Sequence, residues 1–236
     1  MRNERLQGYL IHHRKYRERS HIIHLFTQEY GRMDGVLRHV PPPQYQPLLL
    51  QASGKSALKN FTQVEILNQP VFFHGDAFFA GFYLNEILLR LCAIEESMPA
   101  TFEQYHLTLT QLQQLAAHPQ PAWFLKQILR QFEYVLLEEL GYAIDFAVDA
   151  KQQPIQPDQS YQFQLNDGFI LVNQSNRAHL SGAQILSMCD YVEGVDFNEQ
   201  QLSLLGKLYR QMISSLLGDR PLQSRQLWIQ NFQSKK

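Results

Sequence analysis

The chain has 236 residues, 44% of them hydrophobic, with 21 Lys+Arg against 22 Asp+Glu for a formal net charge of −1. That length suits one large domain or two modest ones and supplies enough buried surface to dispense with disulfides or a structural metal. Cys92 and Cys189 form no C-x-x-C pair and cannot make a four-cysteine zinc site; with no secretory h-region in MRNERLQGYL and no apolar run near the ~18–20 residues of a membrane helix, a cytoplasmic protein is expected.

The near-neutral total hides a strong asymmetry. Residues 1–60 hold ten basic residues against four acidic, residues 61–150 three against eleven, and residues 151–236 eight against seven, giving blocks of +6, −8 and +1. Such segregation marks an interaction surface confined to one part of the chain. His12, His13, His21, His24 and His39 also fall in the basic block.

In chain order, RLQGYLIHH, SHIIHLFTQEY, RMDGVLRHV, PLLLQAS and ALKNFTQVEIL are short β-like runs bounded by Gly, Pro, Ser or charges. Gly31 fits a turn that needs positive φ, and Pro41-Pro42-Pro43 must be a connection because it cannot donate ladder hydrogen bonds. Five short strands in a basic unit predict a small closed barrel, which removes exposed edges. An OB-like barrel leads, and an SH3-like barrel has nearly the same strand count.

From Asp76 the period becomes helical, predicting a helix capped by Asp76 and running through Glu96. Thr101 with Gln104 spells a capping box for a second helix to about Ala117, and Pro121 opens a third that Gly141 closes. YQFQLNDGFILV reads as a hairpin around Asn166-Asp167-Gly168, after which helices resume at Ser181 and over Asn198–Leu217. No repeat of fixed period appears. The expected fold is α+β: an N-terminal OB-fold β-barrel over residues 1–75, then an α-helical domain over 76–236 with a short β excursion near 144–172.

No catalytic constellation emerges. H-E-x-x-H and G-x-S-x-G are absent, and Gly54-Lys55-Ser56 lacks the upstream glycine of a phosphate loop. Glu95-Glu96 and Glu138-Glu139 are adjacent and diverge on a helix; Cys92 reads as a small core hydrophobe. In a strand, His21 and His24 face opposite sides and make no metal pair. No cofactor or metal is expected.

Two features do carry chemistry. Arg14, Lys15, Arg17 and Arg19 lie between two strand-like runs, where a solvated loop is the competing reading, and Arg32, Arg38, Lys55 and Lys59 add cations at strand ends of the same barrel. With Tyr9, Tyr16, Tyr45 and Phe61 as candidate stacking rings, at least half of which should fill the core, this pattern suits backbone binding of nucleic acid. In the acidic block, Trp123, Lys126 and Arg130 share a helix face that suits an anionic peptide end with a hydrophobic residue attached. The alternative there is an internal Arg130–Glu133 ion pair at i,i+3.

FTQEYGR, PLLLQASGKSALKNFTQVE, GFYLNEILLRL, LRQFEYVLLEELGY and GDRPLQSRQL, in this order and spanning nearly the whole chain, resemble the bacterial RecO family of DNA-repair and recombination mediators. The resemblance implies an N-terminal OB-fold, a central helical domain and no bond-breaking activity. It implies binding of single- and double-stranded DNA, annealing of complementary strands and, with RecR, loading of RecA onto DNA coated by single-strand-binding protein. It places Arg32, Lys55 and Lys59 at basic positions of the DNA-binding barrel and Arg130 on the helix that receives the acidic tail of single-strand-binding protein. Two departures stand out. The cysteine cluster many members carry after Leu-Gly-Tyr is missing from AIDFAVDAKQQPIQPDQS, and the basic loop after the third strand is replaced by Val40-Pro41-Pro42-Pro43-Gln44, leaving Arg14 to Arg19 to compensate. The competing class is a protein–protein adaptor without direct DNA binding. A nuclease would need Glu4, Glu18, Glu29 and Asp34 on one face.

Overall fold

The computed structural model describes residues 3–69, 71–173, 179–191, 195–218 and 220–233. The first strand, β1 (Glu4–Arg17), is long enough to serve two partners. Its start pairs with β4 (Leu48–Ser53) as far as Gly8, and from Gly8 onward it pairs with β2 (Ser20–Thr27). A Cβ on Gly8 would lie 2.6 Å from the Phe26 carbonyl oxygen, so glycine is what permits this close passage between partners. β3 (Gly31–Leu37) lies antiparallel to β2, and β5 (Leu58–Ile66) runs parallel to β3 and antiparallel to β4, closing the barrel in the order β1-β2-β3-β5-β4. That five-stranded closure is the OB-type barrel. Leu10, Leu25, Met33, Leu48 and Phe61 fill it at 2% exposure or less, each stabilising by about 1.5–3 kcal/mol relative to an exposed side chain.

Helix α1 (Gly75–Leu91) opens after His74, which makes no side-chain cap, and ends five residues before the expected Glu96. The reason lies in the barrel. β5 begins to pair with β3 only at Asp34, so the edge of β3 before it is open. Ile94 bridges to Arg32, the Glu95 N–H donates to the Arg32 carbonyl at 2.8 Å, and Glu95 takes a φ of 60°. Satisfying that edge outweighs another helical turn. Helix α2 (Pro99–Gln114) starts two residues before Thr101, with Pro99 at its beginning; Thr101 is therefore buried inside the first turn and the expected box with Gln104 does not form. α2 covers part of the barrel's outer face, where Tyr9 and Phe26 pack on Phe102 and Tyr105 with ring centres 5.2–6.0 Å apart. A last helix, α6 (Gln223–Gln233), which the sequence reading did not include, returns to α1.

Contacts divide the chain into two compact units, residues 1–121 with 221–236 and residues 122–220. The barrel strands end at Ile66, but α1, α2 and α6 group with the barrel in space.

The other unit is built on α3 (Pro121–Glu139), which opens at Pro121, and Gly141 beyond its end has φ +85°. β6 (Ser160–Gln164) and β7 (Gly168–Val172) form the hairpin around Asn166-Asp167-Gly168, and β8 (Leu180–Ser181) adds a third strand in the order β7-β6-β8. Ser181–Gln184 and Asn198–Gln201 form complete capping boxes on α4 (Gly182–Leu186) and α5 (Glu199–Leu216). Buried Gln127 of α3 holds the entry to α5, accepting the Phe197 N–H at 2.9 Å and donating to its carbonyl at 2.5 Å. In the segment that lacks cysteine, the Asp149 carboxylate accepts the Lys151 and Gln153 N–H groups at 2.8 Å each. Among the described residues no three His, Cys, Asp or Glu side chains are grouped to hold a metal ion, and no helix is long and apolar enough to cross a membrane.

Candidate functional site

The cations Arg14, Lys15 and Arg17 stand on strand, and Arg19 sits in the turn that joins β1 to β2. β1 runs four residues past His13, pairing Arg14 with Ile22, Lys15 with His21 and Arg17 with Ser20, with a register shift between Lys15 and Arg17. β3 stops at the His21–Leu37 pair, so the hairpin extends past the end of its neighbour strand. All four cations are exposed, and Glu18 in the turn is the hairpin's one acid. The Arg17 guanidinium sits over the Tyr16 ring at 5.1 Å. Tyr16 is 46% exposed, whereas Tyr9, Tyr45 and Phe61 are buried as core, and burial pushes the Tyr45 hydroxyl up to about 12. Exposed Arg38 directly follows Leu37, beside the base of the hairpin, and the His21 Nδ1 lies 3.2 Å from the adjacent His39 carbonyl oxygen.

Lys55 is exposed on the turn between β4 and β5. Lys59 and Arg32 do not share that surface. The Lys59 side chain is 5% exposed, its Nζ donating to the Ser56 carbonyl and pairing with Glu95, each at 2.8 Å. The Arg32 guanidinium donates to both Asp34 oxygens at 3.1 and 2.8 Å and to the Leu89 carbonyl at 2.6 Å. His24 Nδ1 also approaches Asp34 at 2.8 Å. Burial alone would raise the Asp34 carboxyl, but hydrogen bonds and charge from His24 and Arg32 outweigh it and hold the group below its ordinary value. Lys59 thus ties the α1–α2 connection to the barrel through the Glu95 carboxylate, and Arg32 ties the last turn of α1 to it through the Leu89 carbonyl.

Of the barrel's acids, Glu4 and Glu29 both act on Tyr30, and among the described residues no three acids, histidines or cysteines group as a metal site would need. Glu4 accepts the Tyr30 hydroxyl at 2.7 Å, Glu29 accepts the Gln7 N–H at 3.0 and 3.3 Å, Asp34 is held as above, and Glu18 lies in the hairpin turn.

In the second unit, Trp123, Lys126 and Arg130 follow one another along a face of α3, Lys126 exposed and the other two half-buried. The i,i+3 pair does form, with Arg130 Nη2 donating to Glu133 Oε1 at 2.5 Å and Glu133 only 1% exposed. One oxygen of a buried carboxylate orients the guanidinium, whose side chain stays 18% exposed at the surface. α5 approaches Arg130 at Gly206, where an added Cβ would lie 3.6 Å from Nη1. Buried Tyr209 stands one turn further, its hydroxyl raised by burial and by Glu133. Gly206 and Tyr209 escape a sequence reading, although a glycine inside a helical pattern is a sign of close approach.

Residues 1–70 match the family model "Recombination protein O N terminal" and residues 73–226 match "Recombination protein O C terminal". A protein of Pseudomonas putida (strain W619) called DNA repair protein RecO is 36% identical over 94% of this chain and 95% of its own length. Proteins of the same name from Cellvibrio japonicus, at 35% identity with coverage of 97% and 98%, and from Actinobacillus pleuropneumoniae serotype 7, at 32% with 94% and 93%, are similar over the same extent. With an OB-type barrel at its N-terminus, a helical remainder and two adjoining family models spanning nearly its whole length, this chain belongs to the RecO family of recombination proteins.

Proposed function

We propose that the protein is a DNA-binding recombination mediator of DNA repair. It holds single- and double-stranded DNA by the backbone, anneals complementary strands and, with RecR, helps to load RecA onto DNA coated by single-strand-binding protein. One observation carries the reading: Arg14, Lys15, Arg17 and Arg19 are exposed on a hairpin that runs past the end of β3, beside Arg38, with Glu18 the one acid in the hairpin's own sequence. Paired strands of backbone phosphates repel one another, and a cationic surface that releases counterions from both lowers that barrier without breaking a bond. Tyr16, exposed under Arg17, adds a face on which a base can stack. Arg38 and Lys55 extend the cationic surface, while Arg32 and Lys59 hold the scaffold under it. On the other unit, Trp123, Lys126 and Arg130 take the acidic tail of single-strand-binding protein, with Arg130 set by Glu133 to meet a carboxylate.

The test is a titration of labelled single-stranded DNA over a range of salt. With about six phosphates engaged, affinity should fall roughly a thousandfold between about 50 and about 200 mM salt. Arg14→Glu with Arg17→Glu should weaken binding and flatten that slope. Salt-insensitive binding, or a slope unchanged in the double variant, overturns the assignment of the hairpin. Absence of DNA binding leaves the chain as a protein–protein adaptor.

A further inference from the structure

The hairpin is rooted in histidine on both of its strands. His12 of β1 faces His24 of β2 with ring centres 5.5 Å apart, and His13 faces His21 at 6.1 Å. Lys15 is the direct cross-strand partner of His21, so the His13–His21 pair adjoins the cations of the hairpin. A hydrogen bond from His21 Nδ1 to the His39 carbonyl oxygen, 3.2 Å away, makes Nδ1 the protonated nitrogen of the neutral ring and leaves Nε2 a bare lone pair. A bare Nε2 repels a phosphate oxygen; a protonated one donates to it.

The surroundings decide when that proton is present. β1 supplies His12, Arg14, Lys15 and Arg17, the turn supplies Glu18 and Arg19, β2 supplies His24, and the segment after β3 supplies Arg38 and His39. On β3 itself Arg32 and Asp34 pair with each other, and Asp34 also with His24. One carboxylate therefore stands on the hairpin among cations. Burial, then the neighbouring His21, holds the His13 imidazole below its ordinary value, so it is neutral near pH 7 in the free protein. Neither cause acting on His13 is a negative charge, and a nucleic-acid phosphate is of the right sign to stabilise its imidazolium form.

We propose that His13 and His21 form a phosphate-binding pair at the root of the hairpin, and that the hairpin takes up a proton at His13 as it engages a DNA backbone. This rests on the assignment of the hairpin as the DNA-binding element. It makes affinity a function of pH at constant salt. Each proton taken up contributes a slope of about −1 in log K against pH between the free and bound titration points.

The experiment measures single-stranded DNA affinity from about pH 8 to about pH 5.5 at one ionic strength, for the wild type, His13→Gln with His21→Gln, and His13→Lys with His21→Lys. The wild type should bind about tenfold tighter at the acid end. The glutamine variant should keep the alkaline affinity within about twofold and lose the rise; the lysine variant should bind at alkaline pH as the wild type does in acid. Calorimetry in two buffers of different ionisation enthalpy should show buffer-dependent heats for the wild type and not for the glutamine variant. An equal acid rise in the glutamine variant, or a flat wild type whose binding is still salt-sensitive, overturns the histidine inference and spares the hairpin. Absence of salt-sensitive binding at every pH overturns the hairpin assignment and this inference together.

Discussion

Glu86 explains why two of the most recognisable stretches of the sequence, GFYLNEILLRL and GDRPLQSRQL, belong together. Its carboxylate, 9% exposed on α1, accepts the Gln223 and Ser224 N–H groups at 2.8 Å each, the Ser224 hydroxyl at 2.6 Å and the Arg90 guanidinium at 3.3 Å. It thereby caps the N-terminus of α6 from a neighbouring helix, where backbone donors and the helix dipole both favour negative charge. Glu86→Ala should cost about 2–4 kcal/mol in urea unfolding, since it strands several buried donors; Glu86→Gln, which can still accept, should cost less. His12 sets a pH dependence. Burial, followed by His24, His13 and Arg14, lowers its folded value below that of the unfolded chain. The unfolded state therefore binds more protons in the window below about pH 6.5, and stability must fall as pH drops through it. The thermal midpoint should decrease on acidification there, and His12→Gln should remove part of the decrease. Asp34 acts in a different window. Its depressed folded value gives stability that is present above about pH 4 and is lost only as pH falls through the folded titration point.

At the scale of elements, cap and turn chemistry was legible where it was local. The Ser181 box, the Pro121 start and the turn at Gly168, with φ +82°, form as their residues spell them. The end of α1 was not legible, because the open edge of β3 that draws Ile94 and Glu95 away is created by strands far off in the sequence. The basic run Arg14–Arg19 differs in that its partner is near: charge and polarity describe a loop, and the pairing of Arg14, Lys15 and Arg17 with Ile22, His21 and Ser20 makes all but the Glu18–Arg19 turn strand. Gly206 offers a measurement on the α3–α5 contact. Its Cβ would meet Arg130 at 3.6 Å, an ordinary contact, so Gly206→Ala should be tolerated and stabilise α5 by up to about 1 kcal/mol in thermal unfolding. Gly206→Leu should displace Arg130 and weaken binding of an acidic, hydrophobic-ended peptide by about tenfold or more.

At the scale of the molecule, charge separates by compact unit. The barrel unit holds fourteen basic residues against ten acidic, and the unit of residues 122–220 holds seven against twelve, for net charges of +4 and −5. The proposed DNA hairpin and peptide face belong to different units, so their functions should dissociate by mutation. Arg130→Glu should abolish binding of an acidic tail peptide of single-strand-binding protein and leave naked-DNA affinity within about twofold, while Arg14→Glu with Arg17→Glu does the reverse. Equal loss of both activities in either variant would show that one surface serves both.

By itself the sequence determined the class of the fold and the broad allocation of charge, because hydrophobic period, turn residues and local net charge are properties of neighbouring positions. It also indicated that at least half of Tyr9, Tyr16, Tyr45 and Phe61 are not surface rings, but only Phe61 lies inside the barrel; Tyr9 is covered by Phe102 and Tyr105 of α2, and Tyr45 packs on Phe73. Only the tertiary structure decided which cations are free to meet a partner. Arg32 and Lys59 have the same chemistry as Arg14 and Lys55, but the chain brings Glu95 and the Leu89 carbonyl to the first pair and leaves the second pair exposed. A cation's availability depends on the groups that folding places beside it, and those come from positions its own neighbourhood does not specify.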